Sequence, residues 1–169
     1  MKGFALLELL IVFAVIGIIV ALAMPAYLGM QDRLKRGAVL RASAAIEPEL
    51  QAWLNGAFKG NTGLSGAFRE VDSNGDGLID NADMNNSQLF SLFLAGTLDN
   101  QFVLARQTLH KEMSPWDPNV SLFAAGAASV SLVSQINVAQ NGPGEAAFLR
   151  VIATDKGGGI LHNKSVYAD

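Results

Sequence analysis

The sequence predicts an α+β protein: a long N-terminal α-helix, apolar then amphipathic, packed against a small globular head with an antiparallel β-sheet of three or four strands. Three observations predict it. The first 30 residues are almost entirely apolar. Apolar residues then recur at three- and four-residue steps as far as Leu54. The last third is rich in β-branched residues separated by glycine-rich turns.

The apolar segment, residues 4–30, carries a single acid, Glu8. At about 1.5 Å per helical residue, Phe4 to Met24 would span roughly 30 Å, about one hydrocarbon core. A carboxylate in such a helix costs ~2.5–3.5 kcal/mol toward the bilayer centre and needs a cationic partner. Gly3-Phe4 is typical of a cleavage junction, and cutting there would free an amine on Phe4. The sequence therefore predicts that Glu8 is functional.

Lys2-Gly3-Phe4, Glu8 as the fifth residue of the cut chain, the apolar run and Pro25 together resemble the type IV prepilin signature, which type II secretion pseudopilins share. The resemblance covers residues 1–55 and implies the pilin fold. The chain then divides into a leader (1–3), a transmembrane or filament-core helix (4–30), an amphipathic helix (31–56), a region of loops and short helices (57–114) and a sheet region (115–169).

The resemblance implies a processing and assembly route. A prepilin peptidase cuts after Gly3 and methylates Phe4, and the acid at Glu8 pairs with the terminal amine of a neighbouring copy. The homopolymer grows from an inner-membrane assembly platform, and the helix between Gly17 and Pro25 loosens in the filament. The residues themselves favour this loosening, because Pro25 removes a backbone hydrogen-bond donor and Gly17 favours disorder. The subunit is expected in the inner membrane before assembly and at the cell surface afterwards, or in the periplasm for a pseudopilin.

The N-terminal segment has two alternative interpretations, a signal sequence and an anchor that leaves the head in the cytoplasm. A signal anchor or signal peptide would also be apolar, but a signal peptide has an apolar core of roughly 7–15 residues and a small-residue cut site after it. Arg33, Lys35 and Arg36 follow the apolar segment, whereas only Lys2 precedes it, so the positive-inside rule favours a cytoplasmic head. The leader is also shorter and less basic than in most prepilins. The prepilin signature favours export of the head.

Helices and strands of the head are predicted from pattern and turn residues. Pro48 should kink or restart the long helix, and Asn55-Gly56 and then Lys59-Gly60-Asn61-Thr62-Gly63 should mark its end. Two short helices follow: one carries Leu89, Phe90, Phe93 and Leu94 and ends near Gly96, and one runs from Asp99 as N-cap to about Glu112 and buries Phe102, Ala105 and Leu109. Strands are predicted at 120–123, 130–138, 147–154 and 160–167.

Residues 72–83, DSNGDGLIDNAD, resemble the twelve-residue EF-hand loop and predict a calcium site. The expected ligands are the side chains of Asp72, Asn74, Asp76, Asp80 and Asp83 and the carbonyl of Leu78. Gly77 permits the sharp turn, and Ile79 is expected to pin the loop to the core. Aspartate at the twelfth position is typical of dockerin loops, but dockerins carry two repeats and this chain has one. The alternative is a polar turn whose side chains bond their own backbone.

Composition excludes several function classes. The net charge of −3 gives no reason to expect nucleic acid as a partner, and the absence of cysteine excludes disulfides and thiol chemistry. His110 and His162 lie in different segments without a nucleophile motif, so no enzymatic activity is expected.

Three functions remain open. The first is a subunit of a type IV pilus-like filament with a calcium-stabilised head. The second is a type II secretion pseudopilin, because Pro115-Trp116-Asp117-Pro118 resembles the Pro-Trp turn of major pseudopilins. The third is a membrane-anchored calcium-binding protein that does not polymerise.

Overall fold

The computed structural model describes residues 5–61, 66–126, 136–140 and 148–169. The chain divides into two compact units, residues 1–37 and residues 38–169. The first unit is the N-terminal part of one helix. The second contains the remaining helices and the sheet. The predicted leader and the predicted strand residues 130–135 lie outside the described residues.

Helix α1 runs from Ala5 to Ala45, and α2 runs from Glu47 to Gly60. Ile46 separates them as a turn residue, and Pro48 lies in the first turn of α2, where its missing N–H would have no helical partner. The predicted restart at Pro48 is therefore confirmed. Helix α2 passes the first predicted end signal, Asn55-Gly56, and ends at the second, after Gly60, so the predicted boundary at residue 56 is too early. Gly56 is buried, and a Cβ on it would lie 3.5 Å from Asn86 of α3.

Helix α3, Asn86–Leu94, follows the predicted calcium loop. It begins with a capping box in which Asn85 accepts from the backbone N–H of Gln88 and the Gln88 side chain accepts from the N–H of Asn85. Gly96, at φ +71°, follows its end as predicted. This helix is confirmed.

Helix α4, Leu98–His110, differs in detail from the prediction. Its N-cap is Thr97 rather than Asp99, because the fully buried Leu98 already starts the helix. Phe102 and Ala105 are buried as predicted. Leu109 is 41% exposed, which corrects its expected burial. The helix ends before Lys111, which takes the left-handed conformation at φ +50°.

Among the described residues, the sheet has four strands in the order β1-β2-β3-β4. They are β1, Phe123–Ala125; β2, Ile136–Gln140; β3, Phe148–Thr154; and β4, Ile160–Tyr167. Strands β2, β3 and β4 pair antiparallel, as predicted. Strand β1 is parallel to β2, so the prediction of an antiparallel sheet does not hold for this strand. The first strand also begins later than predicted. The N–H of Leu122 donates to Glu112 and the carbonyl of Val120 accepts from Ser114, so this segment pairs with the chain before it.

The core of the second unit lies between the helices and one face of the sheet. Alternate residues of β3, Leu149, Val151 and Ala153, are fully buried on that face. The buried face of α2 meets them, and Trp53 packs edge-on against Phe102 of α4 with ring centroids 5.5 Å apart. The α+β architecture predicted from the sequence is thus present.

Candidate functional site

The first candidate site is the N-terminal end of α1. Glu8 lies in the first turn and is exposed, where a carboxylate interacts favourably with the helix dipole. Gly3 and Phe4, its predicted processing site and partner, lie outside the described residues. Gly17 and Pro25 both lie within the continuous helix α1. Loosening of the helix between them concerns the filament and stays a prediction.

The surface of α1 in the first unit is apolar and uncovered. Every described side chain from Leu6 to Met30 is exposed. Within the described chain, one helical stretch is long and apolar enough to cross a membrane, Leu6–Gly60, and the side chains of its apolar window are not buried. An exposed apolar surface of this length is unfavourable in water, because each buried methylene would gain about 0.8 kcal/mol.

The second candidate site is the loop at residues 72–83, whose first half is folded by its own side chains. Asp72 Oδ1 accepts from the N–H of Gly75 at 2.6 Å, and Asp72 Oδ2 accepts from that of Gly77 at 2.7 Å. Asn74 Oδ1 accepts from the N–H of Asp76 at 2.8 Å. Gly77 has φ +89°, a conformation that glycine adopts without strain.

Asp83 closes the loop from the inside and is 3% exposed. Its Oδ1 accepts from the N–H of Ser73 at 2.7 Å and that of Asn74 at 3.2 Å, and its Oδ2 accepts from the N–H of Asp80 at 2.9 Å. Burial raises the pKa of the Asp83 carboxyl, but the hydrogen bonds from Asp80, Ser73 and Asn74 outweigh burial. The pKa therefore lies below its ordinary value.

The predicted ligands lie on one loop but do not converge as a ready-made metal cage. Asn74 Nδ2 donates to Asp76 Oδ2 at 3.0 Å, and Asp80 Oδ1 accepts from the N–H of Ala82 at 2.7 Å. In the described residues, no group of three or more His, Cys, Asp or Glu side chains has a metal-binding arrangement. Asp76, Leu78 and Asp80 are exposed.

The carboxylates nonetheless retain acceptor capacity. A carboxylate oxygen offers about two lone-pair sites. Asp72 Oδ2 and Asp83 Oδ2 each accept from one backbone N–H, at 2.7 and 2.9 Å. Asn74 Oδ1 likewise accepts from one at 2.8 Å. The donor set therefore fits a hard cation that prefers oxygen ligands.

Helix α4 holds the loop through contacts that sequence reasoning missed. Gln101 Nε2 donates to the carbonyl of Ser73 at 2.8 Å. Gly75, at φ +78°, lies so close to α4 that a Cβ on it would be 2.3 Å from the Ala105 carbonyl oxygen. Glycine at position 75 is consistent with a close approach of another backbone, but the local sequence does not indicate that this backbone belongs to α4.

Helix α2 and the first residue of α3 hold Glu70, which lies two residues before the loop. Lys59 donates to Glu70 at 2.7 Å, and Asn86 Nδ2 donates to the second oxygen of Glu70 at 3.1 Å. The hydrogen bond from Lys59 is the largest cause of a lowered pKa for Glu70, opposed by burial and assisted by Asn86. Arg69 Nε donates to the carbonyl of Asp83 at 2.9 Å.

Ile79 does not pin the loop to the core, contrary to expectation. It is 57% exposed and its neighbour Leu78 is 65% exposed. Val71, immediately before the loop, is the buried residue at 4% exposure. The apolar anchor is therefore Val71 at the entrance of the loop, and the buried side chain at the end of the loop is the carboxylate of Asp83.

The two histidines lie on separate elements. His110 is the last residue of α4, and His162 lies on β4 with Nε2 3.1 Å from Glu47 Oε1. Glu47 also accepts from Lys164. Glu47 thus joins His162 and Lys164 of β4 to the start of α2.

The chain matches no protein-family model, and neither the curated proteins nor the solved structures include a significant match to it.

Proposed function

We propose that this protein is the structural subunit of a type IV pilus-like filament, anchored in the inner membrane by α1 before assembly. The observation that carries the proposal is the uncovered apolar surface of α1 with one carboxylate, Glu8, in its first turn. Such a surface requires either lipid or copies of the same helix around it. A filament subunit meets both environments in succession.

The role of Glu8 follows from the cost of its charge in the apolar core of a filament. An unpaired carboxylate in apolar surroundings costs several kcal/mol of desolvation free energy, roughly the effective penalty per buried ion. The amine of Phe4 on a neighbouring copy, freed by a prepilin peptidase at Gly3, offsets that cost. Because only one axial offset between copies brings the two charges together, the pair also sets the register of the homopolymer on its assembly platform.

The head is proposed to bind calcium through Asp72, Asn74, Asp76, Asp80 and Asp83 and the Leu78 carbonyl. Acceptor capacity on Asp72 Oδ2 and Asp83 Oδ2 supports this. Calcium, when bound, would offset two of the four negative charges that Asp72, Asp76, Asp80 and Asp83 bring to the loop. The loop contacts α4 through Gln101 and adjoins Glu70, which pairs with Lys59 of α2. Its stabilisation would therefore hold together the helices of a head that lacks disulfides.

Two measurements on surface material test the proposal. Electron microscopy of sheared surface fractions should show filaments, and mass spectrometry of their subunit should give a chain that begins with N-methylated Phe4. A processed chain confined to short periplasmic assemblies would indicate a type II secretion pseudopilin. An intact Met1 on a chain that never leaves the membrane as a polymer would contradict the filament assignment and leave the anchored calcium-binding protein.

A further inference from the structure

A group of basic residues immediately follows the apolar surface of α1. Arg33, Lys35 and Arg36, here called the basic collar, lie within the first unit, and Arg33 and Arg36 are exposed. Asp32 accepts from Arg36 at 2.7 Å, and the side chains of this pair are 44% and 46% exposed. The segment 32–36 therefore keeps a net positive charge at the end of the apolar span.

Helix geometry places the collar at the depth of lipid headgroups. Glu8 and Asp32 bracket an uncharged run, and their Cα atoms are about 36 Å apart along the axis at 1.5 Å per residue. A helix tilted by about 20° projects this length to about 34 Å, slightly more than a hydrocarbon core of about 30 Å. Tyr27, 56% exposed, then lies just inside the interface, where amphipathic rings are favoured.

The collar covers one half of the helix circumference. At about 100° per residue, Lys35, Arg36 and Arg33 project in that order within an arc of about 160°. Their net positive charge and their position at the end of the apolar span favour anionic headgroups, which long basic side chains reach while their stems lie along apolar surface. We therefore propose that the basic collar binds anionic lipid headgroups in the leaflet at the C-terminal end of the apolar span, and so fixes the depth of the helix. This rests on the membrane anchor of the proposed function.

The test uses the full-length protein reconstituted into phosphatidylcholine vesicles containing spin-labelled phosphatidylglycerol or spin-labelled phosphatidylcholine. The fraction of motionally restricted label gives the relative affinity for the two lipids. Wild type should prefer phosphatidylglycerol by between about two- and tenfold at low salt. The preference should approach unity at 1 M salt, where the Debye length is about 3 Å.

Matched variants assign the preference to the collar. Arg33→Gln/Lys35→Gln/Arg36→Gln should lose it. Lys111→Gln/Arg150→Gln/Lys156→Gln, three exposed head cations with the same change in net charge, should keep it. Asp32→Asn, which removes the acid beside Arg36, should increase it.

Three outcomes would overturn the inference: equal affinity of wild type for both lipids, a preference retained by the collar variant, or an equal loss in the head variant. Lower filament yield from the collar variant with unchanged lipid preference would assign these residues to subunit contacts and also overturn it. Flotation of wild type with pure phosphatidylcholine vesicles reports the anchor alone. A protein that fails to float there contradicts the proposed function, whereas one that floats without lipid preference contradicts only the collar.

Discussion

The side chain of Gln101 on α4 donates a 2.8 Å hydrogen bond to the carbonyl oxygen of Ser73 in the loop at residues 72–83. Ser73 is itself buried, and its hydroxyl accepts from the N–H of Met84 at 2.6 Å. The two ends of the loop and helix α4 are thus joined at one residue. Changes in the loop should therefore be measurable as changes in the stability of the whole head.

Gly75→Ala should destabilise the head more than the same change at another left-handed glycine. Both Gly75 and Gly96 have positive φ, at +78° and +71°, but only at Gly75 would an added Cβ lie 2.3 Å from the Ala105 carbonyl oxygen. We expect a loss of about 1 kcal/mol for Gly96→Ala and about 2–5 kcal/mol for Gly75→Ala. Urea unfolding of the two variants checks this, and equal losses would mean that α4 moves away at little cost.

Calcium should raise the melting temperature of the wild-type protein, and Asp76→Asn should remove most of that response. Binding to the folded state alone stabilises by about 2.7 kcal/mol when calcium is at 100 times Kd. Asp117→Asn is the control, since Asp117 also accepts a hydrogen bond from a nearby backbone N–H, that of Asn119 at 2.9 Å, but lies outside the loop. Thermal unfolding in calcium and in chelator measures both. An unchanged wild-type curve, with no heat of binding in calorimetry, would leave the loop as a turn.

The contribution of Asp83 should depend on pH in chelator. Its pKa is lower in the folded protein than in the unfolded chain, so its stabilisation is complete above the unfolded value, about pH 4. That stabilisation is lost as pH falls through the folded value. The difference in unfolding free energy between wild type and Asp83→Asn should therefore be constant above about pH 4 and shrink as the pH falls below that value. A difference that is constant with pH would show that Asp83 acts by packing alone; Asp117→Asn gives the baseline.

Arg106→Ala should destabilise the head by about 2 kcal/mol, since hydrogen bonds to charged groups contribute about 1.5–3 kcal/mol. The Arg106 side chain is 11% exposed and donates to Glu49 at 2.5 Å and Glu112 at 3.0 Å. Its guanidinium also lies 4.7 Å from the ring centroid of Phe123. Arg36→Ala, which breaks an exposed pair, should cost at most about 0.5 kcal/mol. Similar losses for both variants in chemical denaturation would contradict the role assigned to burial.

Glu8→Val should leave the subunit in the membrane but prevent filament assembly, because the neighbouring amine loses its counter-charge. Membrane fractionation and filament yield measure the two effects separately. Glu8→Gln keeps the size and polarity of the side chain and should fail in the same way. Normal filaments from the Gln variant would show that the charge is dispensable.

The elements predicted best are those whose signals are local. The hairpin of β3 and β4 is predicted from two apolar strands around Lys156-Gly157-Gly158-Gly159, and its strands are found where expected. Helix α3 is likewise bounded by Gly96. Both elements depend on residues that are close in sequence, so one sequence is enough to predict them.

The features that sequence reasoning missed depend on distant contacts. The parallel pairing of β1 with β2, for example of Phe123 with Ile136, is not indicated by the apolar pattern of either strand. The burial of Gly56 beside Asn86 and Leu89 and the exposure of Ile79 likewise depend on tertiary contacts. The candidate ligands are evident from their spacing, whereas Gln101, which contacts the loop, and Lys59, which pairs with Glu70 beside it, could not be identified without the fold.

The attachment of β4 to α2 determines when the head can be completed during synthesis. Gln51 donates to the carbonyl of Tyr167 at 2.6 Å, and Glu47 accepts from Lys164, across sequence separations of 116 and 117 residues. Chains emerge from the ribosome N-terminal end first, at about 5–20 residues per second. Gln51 and Glu47 on α2 therefore acquire these partners only after β4 has been synthesised, several seconds after α2 at that rate. Until then, the N-terminal and C-terminal parts of the head cannot be fastened together by these bonds.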